Sequence, residues 1–337
     1  MKVNDVADLQ QRYDLLVELQ KSKLVNKKNE VLSKYEDYNE FIKSIEYHLI
    51  ERSGDPNFQT FYNVYDKIFT IEEEKESYSG FEEVLDFNFD QSLQKKFGPF
   101  KEVLLYCTTP DDEDVIGGIN FATYYYPNLF DKSFGTSHIF YLFVKPEYRS
   151  FNLGTELIQK AENFSKSLLF EWINKNNHHV DFPEIELIVF CEQNYPEKMT
   201  LLQYWKDNMN SLTDQCDRLK WWNKRGFRRL NMNYVQPALN IENEPCLYLS
   251  LNAKTGLQGI PSFIVLEHIK RIFSISVLKG RDIEDDINYK KIENYLKSQS
   301  TIVFSSIDDY ESIKETIYQY SNSENSYDIL IKNLFKK

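Results

Sequence analysis

From Ile139 to Val144 the chain reads IFYLFV, an apolar and aromatic run with no polar break. A half-buried strand would alternate; this run demands a strand buried on both faces. Pro146 ends it. From Gly154 and Thr155 onward the apolar residues Leu157, Ile158, Ala161 and Phe164 recur at three- and four-residue steps, as one face of a helix requires. Ser137 to Phe164 therefore predicts a buried strand, a tight polar turn and a helix.

Such a turn leaves several backbone N–H groups unpaired at the helix N-terminus and aims them at one point, where the helix dipole also favours negative charge. The turn is RSFNLG, Arg149 to Gly154. Arg149 can add a forked, charge-assisted contact to a phosphate oxygen. Asn152 is among the few non-glycine residues that accept a left-handed backbone. The same residues also suit a plain surface cation and a backbone kink, so neighbouring segments must decide between the two.

Residues 1 to about 53 contain no Gly or Pro and place Val6, Leu9, Leu16, Leu19, then Val31, Tyr35, Tyr38, Ile42, Ile45 and Leu49 at roughly helical steps. Two helices are expected, with a break near Val25 to Lys28 and a stop at Gly54, Asp55 and Pro56. They could form a homodimer seam or pack on their own chain; the heptad is not sustained, which favours the second. Phe58 to Ile71 reads as a strand, and an acidic helical stretch follows to Phe97. Lys101 to Cys107, the turn TTPDDED and Val115 to Tyr126 form a hairpin. After the helix from Thr155 towards Asn174, Glu184 to Pro196 is the next strand, parallel to the first through a helical crossover. Met199 to Lys224 is helical and Pro245 to Asn252 is a last strand. Beyond Gly259 the pattern turns to helices, Pro261 to Leu278, Asp285 to Lys297 and Asp308 to Tyr320, with a short strand at Thr301 to Phe304. The fold class is α/β, a mixed sheet flanked by helices.

The net charge of -12 over 337 residues argues against a general nucleic-acid binder, which needs a basic surface, and is compatible with a cationic partner. No apolar run reaches membrane-spanning length, and MKVNDVADLQ lacks a secretory apolar core, so a cytoplasmic chain with no membrane partner is expected. Cys107, Cys191, Cys216 and Cys246 show no paired spacing and read as small buried residues, three of them in strand-like runs. His178 and His179 are adjacent in a polar loop and point to different sides, which argues against a metal site.

The strand, the Pro146-Glu147-Tyr148-Arg149 corner and Arg149, Asn152 and Gly154 resemble the GNAT superfamily of acyl-CoA N-acyltransferases, with Asn152 standing where a family glycine is common. Gly117-Gly118 in the hairpin, Gly226-Phe227 after a helix, and Tyr234, Gln236, Pro237 and Leu239 extend the resemblance over roughly Phe58 to Asn252. It implies a GNAT-like domain at 57–258 between helical extensions at 1–56 and 259–337, with the fourth and fifth strands splayed around an acyl group. It further implies an N-acetyltransferase that takes acetyl-CoA as co-substrate and an amine acceptor, attacking directly in a ternary complex.

On that resemblance, backbone groups of Phe143, Val144 and Lys145 bind the pantetheine arm and thioester oxygen. Arg149, Asn152, Leu153, Gly154 and Thr155 hold the pyrophosphate, and Asn194 lies beside the cofactor arm. Glu192, at the end of the fifth strand, is the candidate base; its other reading is a structural carboxylate at the sheet edge. Glu147 is a weaker candidate, serving the turn. The tyrosine that many family members use as general acid aligns with Trp222, whose indole cannot supply the proton. Tyr234 is the substitute, or else a buried tyrosine bonded in the core. Two other functions stay open: a GNAT-fold regulatory module that binds CoA or a protein partner, and a nucleic-acid binder using Trp221, Trp222, Lys224, Arg225, Arg228 and Arg229.

Overall fold

The computed structural model describes residues 6–71, 74–110, 112–127, 134–175, 185–239, 244–306, 308–321 and 329–335. In chain order the elements are α1 (Val6–Lys34), α2 (Tyr38–Ser44), β1 (Glu46–Ile50), α3 (Phe58–Ile68), α4 (Tyr78–Phe87), α5 (Gln91–Phe97), β2 (Phe100–Thr109), β3 (Asp112–Tyr125) and β4 (Phe134–Val144). Then follow α6 (Leu153–Lys175), β5 (Glu186–Asn194), α7 (Leu201–Ser211), α8 (Gln215–Asn223), β6 (Arg228–Arg229) and β7 (Leu249–Lys254). A last layer holds β8 (Gly259–Pro261), α9 (Ser262–Arg271), a π-helical turn (Ile272–Val277), α10 (Ile287–Lys297), β9 (Thr301–Val303) and α11 (Tyr310–Ser321).

Seven strands form one mixed sheet in the order β1-β2-β3-β4-β5-β7-β6. Every neighbouring pair is antiparallel except β4 with β5, which run parallel through the α6 crossover. Both faces are covered, as the apolar run in β4 requires. On one, Leu157, Ile158 and Ala161 of α6 pack on Phe121, Ile139 and Val189. On the other, Val265 and Ile269 of α9, Phe273 and Ile292 pack on Phe100, Tyr124, Phe190 and Leu251. The C-terminal segment thus shares its core with the sheet.

Four sequence expectations are corrected. Phe58–Ile68 is a helix, not a strand: Phe58, Phe61 and Tyr65 fall on one face and are buried, so the helical period overrides the β preference of aromatics. The N-terminal break lies at residues 35–37 rather than near Val25, and Asp37 caps α2 by accepting the Glu40 N–H at 2.8 Å. Glu46–Ile50 is an edge strand paired to β2, where a helix was expected. Met199 to Lys224 divides into α7 and α8, parted by Leu212 with φ +49°.

α1 packs on its own chain, with Val6, Leu9 and Tyr13 buried in a cluster with Leu201, Tyr204 and Trp205 of α7 and Ile317 of α11. Cys107, Cys191 and Cys216 are buried and Cys246 partly so, all as free thiols; Cys216 sits on helix α8. No helix among the described residues is long and apolar enough to cross a membrane. His178 and His179 lie outside the described residues.

Candidate active site

The site begins where two parallel strands part. β4 and β5 are paired from Phe134 with Glu186 to Ile139 with Cys191, and the ladder stops there. At the same level the β3–β4 register slips, so that Asn120 opposes Tyr141 and Phe121 opposes Ile139, leaving Phe140 as an unpaired bulge. Phe140–Val144 and Glu192–Asn194 therefore diverge. Between and beyond them lies a cavity of about 770 Å³.

One end of the cavity is the polar turn. Pro146–Tyr148 makes a single 3-10 turn, after which Ser150 and Asn152 both take left-handed backbone conformations, with φ +70° and +66°. The amides of Thr155 and Glu156 bond back to the Asn152 carbonyl, whereas those of Phe151, Asn152, Leu153 and Gly154 have no acceptor among the described residues. The Trp221 indole lies so close to Gly154 that a Cβ there would sit 2.9 Å from it. Arg225 stacks on the same indole, 3.6 Å from the ring centre, and donates from Nε to Thr155 Oγ1 at 2.8 Å.

Arg149 reaches across the turn. Its Nε donates to the Val144 carbonyl at 3.2 Å, and one terminal nitrogen donates to Thr213 Oγ1 at 2.7 Å. Burial pushes its pKa down to about 10, so it keeps its charge at neutral pH. Arg149 thus ties the β4 end to the α7–α8 junction while lining the cavity.

Glu192 lines the middle of the cavity at the β5 side of the split. Tyr234 donates its hydroxyl to Glu192 Oε1, and burial pushes the carboxyl up to about 7, the Tyr234 hydrogen bond acting in the opposite sense. The Tyr234 phenol is itself driven well above its usual pKa by burial, so it stays protonated and serves as donor. Asn194 bonds to Asp207 Oδ1 at 3.1 Å, and its carbonyl accepts from Gln215 Nε2.

Phe143, Val144, Arg149, Asn152, Leu153, Gly154, Thr155, Glu192 and Asn194 all border this one cavity. Two expected residues stand apart. The Lys145 amide bonds the Ile116 carbonyl at 2.9 Å and its side chain pairs with Asp114. Tyr234 is fully buried and meets the site only through Glu192. Trp222 borders the cavity and packs edge-on to Phe227 at 4.8 Å.

Sequence reasoning missed the role of Arg225, grouping it with residues for nucleic acid. Two of the others are engaged within the protein: Arg228 lies 3.7 Å over the Phe304 ring and Arg229 4.0 Å over Tyr195. The four-residue step from Trp221 to Arg225 on a helix end is the signal that would have found it. Also missed were Glu102, Asn120 and Ser276, which line the far end of the cavity from elements remote in sequence. No local motif marks them.

Residues 59–182 match the model of the Acetyltransferase (GNAT) family. No curated protein matches the chain. Among solved structures, it is similar to a Bacteroides thetaiotaomicron protein described as an acetyltransferase from the GNAT family, at 14% identity and TM-score 0.41, covering 70% of this chain and 99% of that one. It is similar to Arabidopsis thaliana Naa50 in complex with a CoA–peptide bisubstrate analogue, at 13% identity and TM-score 0.35, covering 63% and 99%. A third likeness is to the Escherichia coli ribosomal-protein-S18-alanine N-acetyltransferase, at 9% identity and TM-score 0.33, covering 62% and 94%. The stretch matched by the family model runs from α3 through α6 and carries the β4 strand and its polar turn.

Proposed function

We propose that this protein is an N-acetyltransferase that takes acetyl-CoA as co-substrate and acetylates a primary amine by direct attack. The observation that carries the reading is a single cavity joining three parts: a turn with free amides, a bulged and splayed strand pair, and a buried carboxylate tuned to about neutral pH.

The residues fit a CoA thioester. The acceptor-free amides of Phe151 to Gly154, at the N-terminus of the 23-residue helix α6, suit a pyrophosphate, with Arg149 and Arg225 adding positive charge. Phe143 and Val144, freed from β5 beyond the split, offer backbone groups to an extended arm, and Asn194 faces them. When bound, the thioester supplies an activated acetyl group. Glu192 does the protein's own chemistry: its Oε1 is fixed by Tyr234, and its carboxylate can take the proton that the amine must lose. With a pKa of about 7 it is a base strong enough to act and still deprotonated in useful fraction at neutral pH. Tyr234 is a positioning residue, holding Glu192 in one rotamer.

The other reading, a module that binds CoA without turnover, has one observation in its favour: Trp222 stands where the family's acid tyrosine aligns and turns its ring onto Phe227. Calorimetry with acetyl-CoA, followed by thiol release with a panel of amines, separates the two. Binding with thiol release is expected. Binding without release would establish the module, and no binding at millimolar acetyl-CoA would end both.

A further inference from the structure

The end of the cavity away from the Arg149 turn is closed by the C-terminal layer. α9 does not continue as a regular helix but passes into the π-helical turn Ile272–Val277, a distortion frequent at functional sites. From that turn Ser276 donates to Glu102 Oε2 at 2.6 Å, and Asn120 Nδ2 donates to Glu102 Oε1 at 3.0 Å. Glu102 is only 3% exposed, yet it lines the cavity together with both partners.

Buried carboxylates are ordinarily matched by a cation. The nearby cation is committed elsewhere: Lys279 Nζ lies 2.6 Å from Glu76 Oε2 in a pair whose side chains are both nearly buried. The hydrogen bonds that Glu102 accepts on its two oxygens come from neutral donors, burial raises its carboxyl pKa, and Lys279 opposes that rise only from beyond direct contact. Glu102 stands on β2 and Glu192 on β5, with β3 and β4 between them. Phe81, Phe140, Leu239 and Val277 supply apolar wall to the same cavity.

We infer that the acceptor is an aliphatic di- or polyamine: a reacting nitrogen at Glu192, a second and permanently charged nitrogen at Glu102, and a methylene chain along the apolar wall. This rests on the acetyltransferase reading above. The reacting nitrogen gains the acetyl carbon as the carbon–sulfur bond breaks. It gives up one proton through Glu192, and the departing sulfur takes up one, so no further reactant is needed. The nitrogen at Glu102 keeps its proton throughout, giving the carboxylate a cation in direct contact.

The test compares putrescine, spermidine, butylamine and kanamycin by calorimetry on the full chain without acetyl-CoA, then by kcat/KM with it. Putrescine or spermidine should bind about tenfold to hundredfold more tightly than butylamine, the range of one charge-assisted contact. Glu102→Gln should bring that ratio to within a few-fold. Glu102→Asp, which keeps the charge, should move the preferred diamine to a longer chain and guards against a variant that fails to fold. Equal affinity for butylamine and putrescine would overturn the inference even where thiol release is robust. A preference for kanamycin over the linear amines would overturn the aliphatic part. Because binding is read without acetyl-CoA, a diamine preference accompanied by no thiol release would sink the acetyltransferase reading alone.

Discussion

The two ends of the cavity are built on different principles. The phosphate-like end is one continuous turn, Pro146 to Thr155, and its recognition groups are backbone amides shaped by two left-handed residues. The end proposed for the acceptor is a set of side chains from β2, β3, β5 and the C-terminal π turn, each held by a partner from another element. A backbone site depends on conformation and tolerates side-chain drift. A side-chain site changes with every substitution. One fold can therefore keep its cofactor end while exchanging acceptors.

The sharpest way to break this comparison is to alter the carboxylate that lies between the two ends. Glu192→Gln preserves shape and the hydrogen bond from Tyr234 but removes the base. Turnover should fall by about 100-fold to 10,000-fold, the usual range for a lost general base. Affinity for acetyl-CoA should be unchanged, since the substitution lies outside the turn. In the unaltered protein the rate should rise with pH through about 7, because the deprotonated form is the active one. Folding stability should move oppositely. A carboxyl whose folded pKa lies above its unfolded value stabilises at low pH, and that contribution is lost as pH rises from the ordinary range through about 7. Thermal melts across that window should show the decline, and Glu192→Gln should flatten it; an unflattened profile would remove Glu192 as its source.

Next in size is the turn itself. Gly154→Asp places a Cβ 2.9 Å from the Trp221 indole and a negative charge where phosphate is expected. Acetyl-CoA affinity should drop by about 100-fold or more in calorimetry, with the amine preference measured without cofactor left intact. If the affinity survives, the turn is a surface kink and the phosphate lies elsewhere. Arg225→Ala is milder, since it removes one cation and its bond to Thr155 while leaving the amides in place. About a tenfold loss of acetyl-CoA affinity is expected, within the range of a hydrogen bond to a charged group.

The difference between the ends also governs what was legible in the sequence. The strand, turn and helix of Ser137 to Phe164 announce themselves by local pattern, and so does the hairpin before them; each is found where expected. Glu192 could be singled out in the sequence because its strand follows that unit, and it borders the cavity. Glu102, Asn120 and Ser276 could not, since nothing in KEVL, GINF or ISVL signals that their segments meet over one cavity. Two of the local misreadings run in opposite directions. In Phe58–Ile68, aromatic β preference masked a helical period, and in Glu46–Ile50 a helical period continued by chance into a strand whose identity comes from pairing with β2.

The smallest effect is the most exact probe of the backbone end. Asn152 stands where the family commonly has glycine, and the structure shows why that is tolerated: its φ of +66° is a conformation asparagine adopts more readily than other side chains. Asn152→Gly should therefore leave acetyl-CoA affinity within a few-fold, because the amides it positions stay where they are. Asn152→Ala keeps the amide but pays for the left-handed backbone, and should cost about 1 kcal/mol of stability. That cost would show as a lower denaturant midpoint, with affinity falling only as far as the turn relaxes. If Asn152→Gly instead weakens binding as strongly as Arg225→Ala, the asparagine side chain itself contacts the ligand. The two ends would then be less different than their construction implies, and the turn would read its ligand with side chains as well as amides.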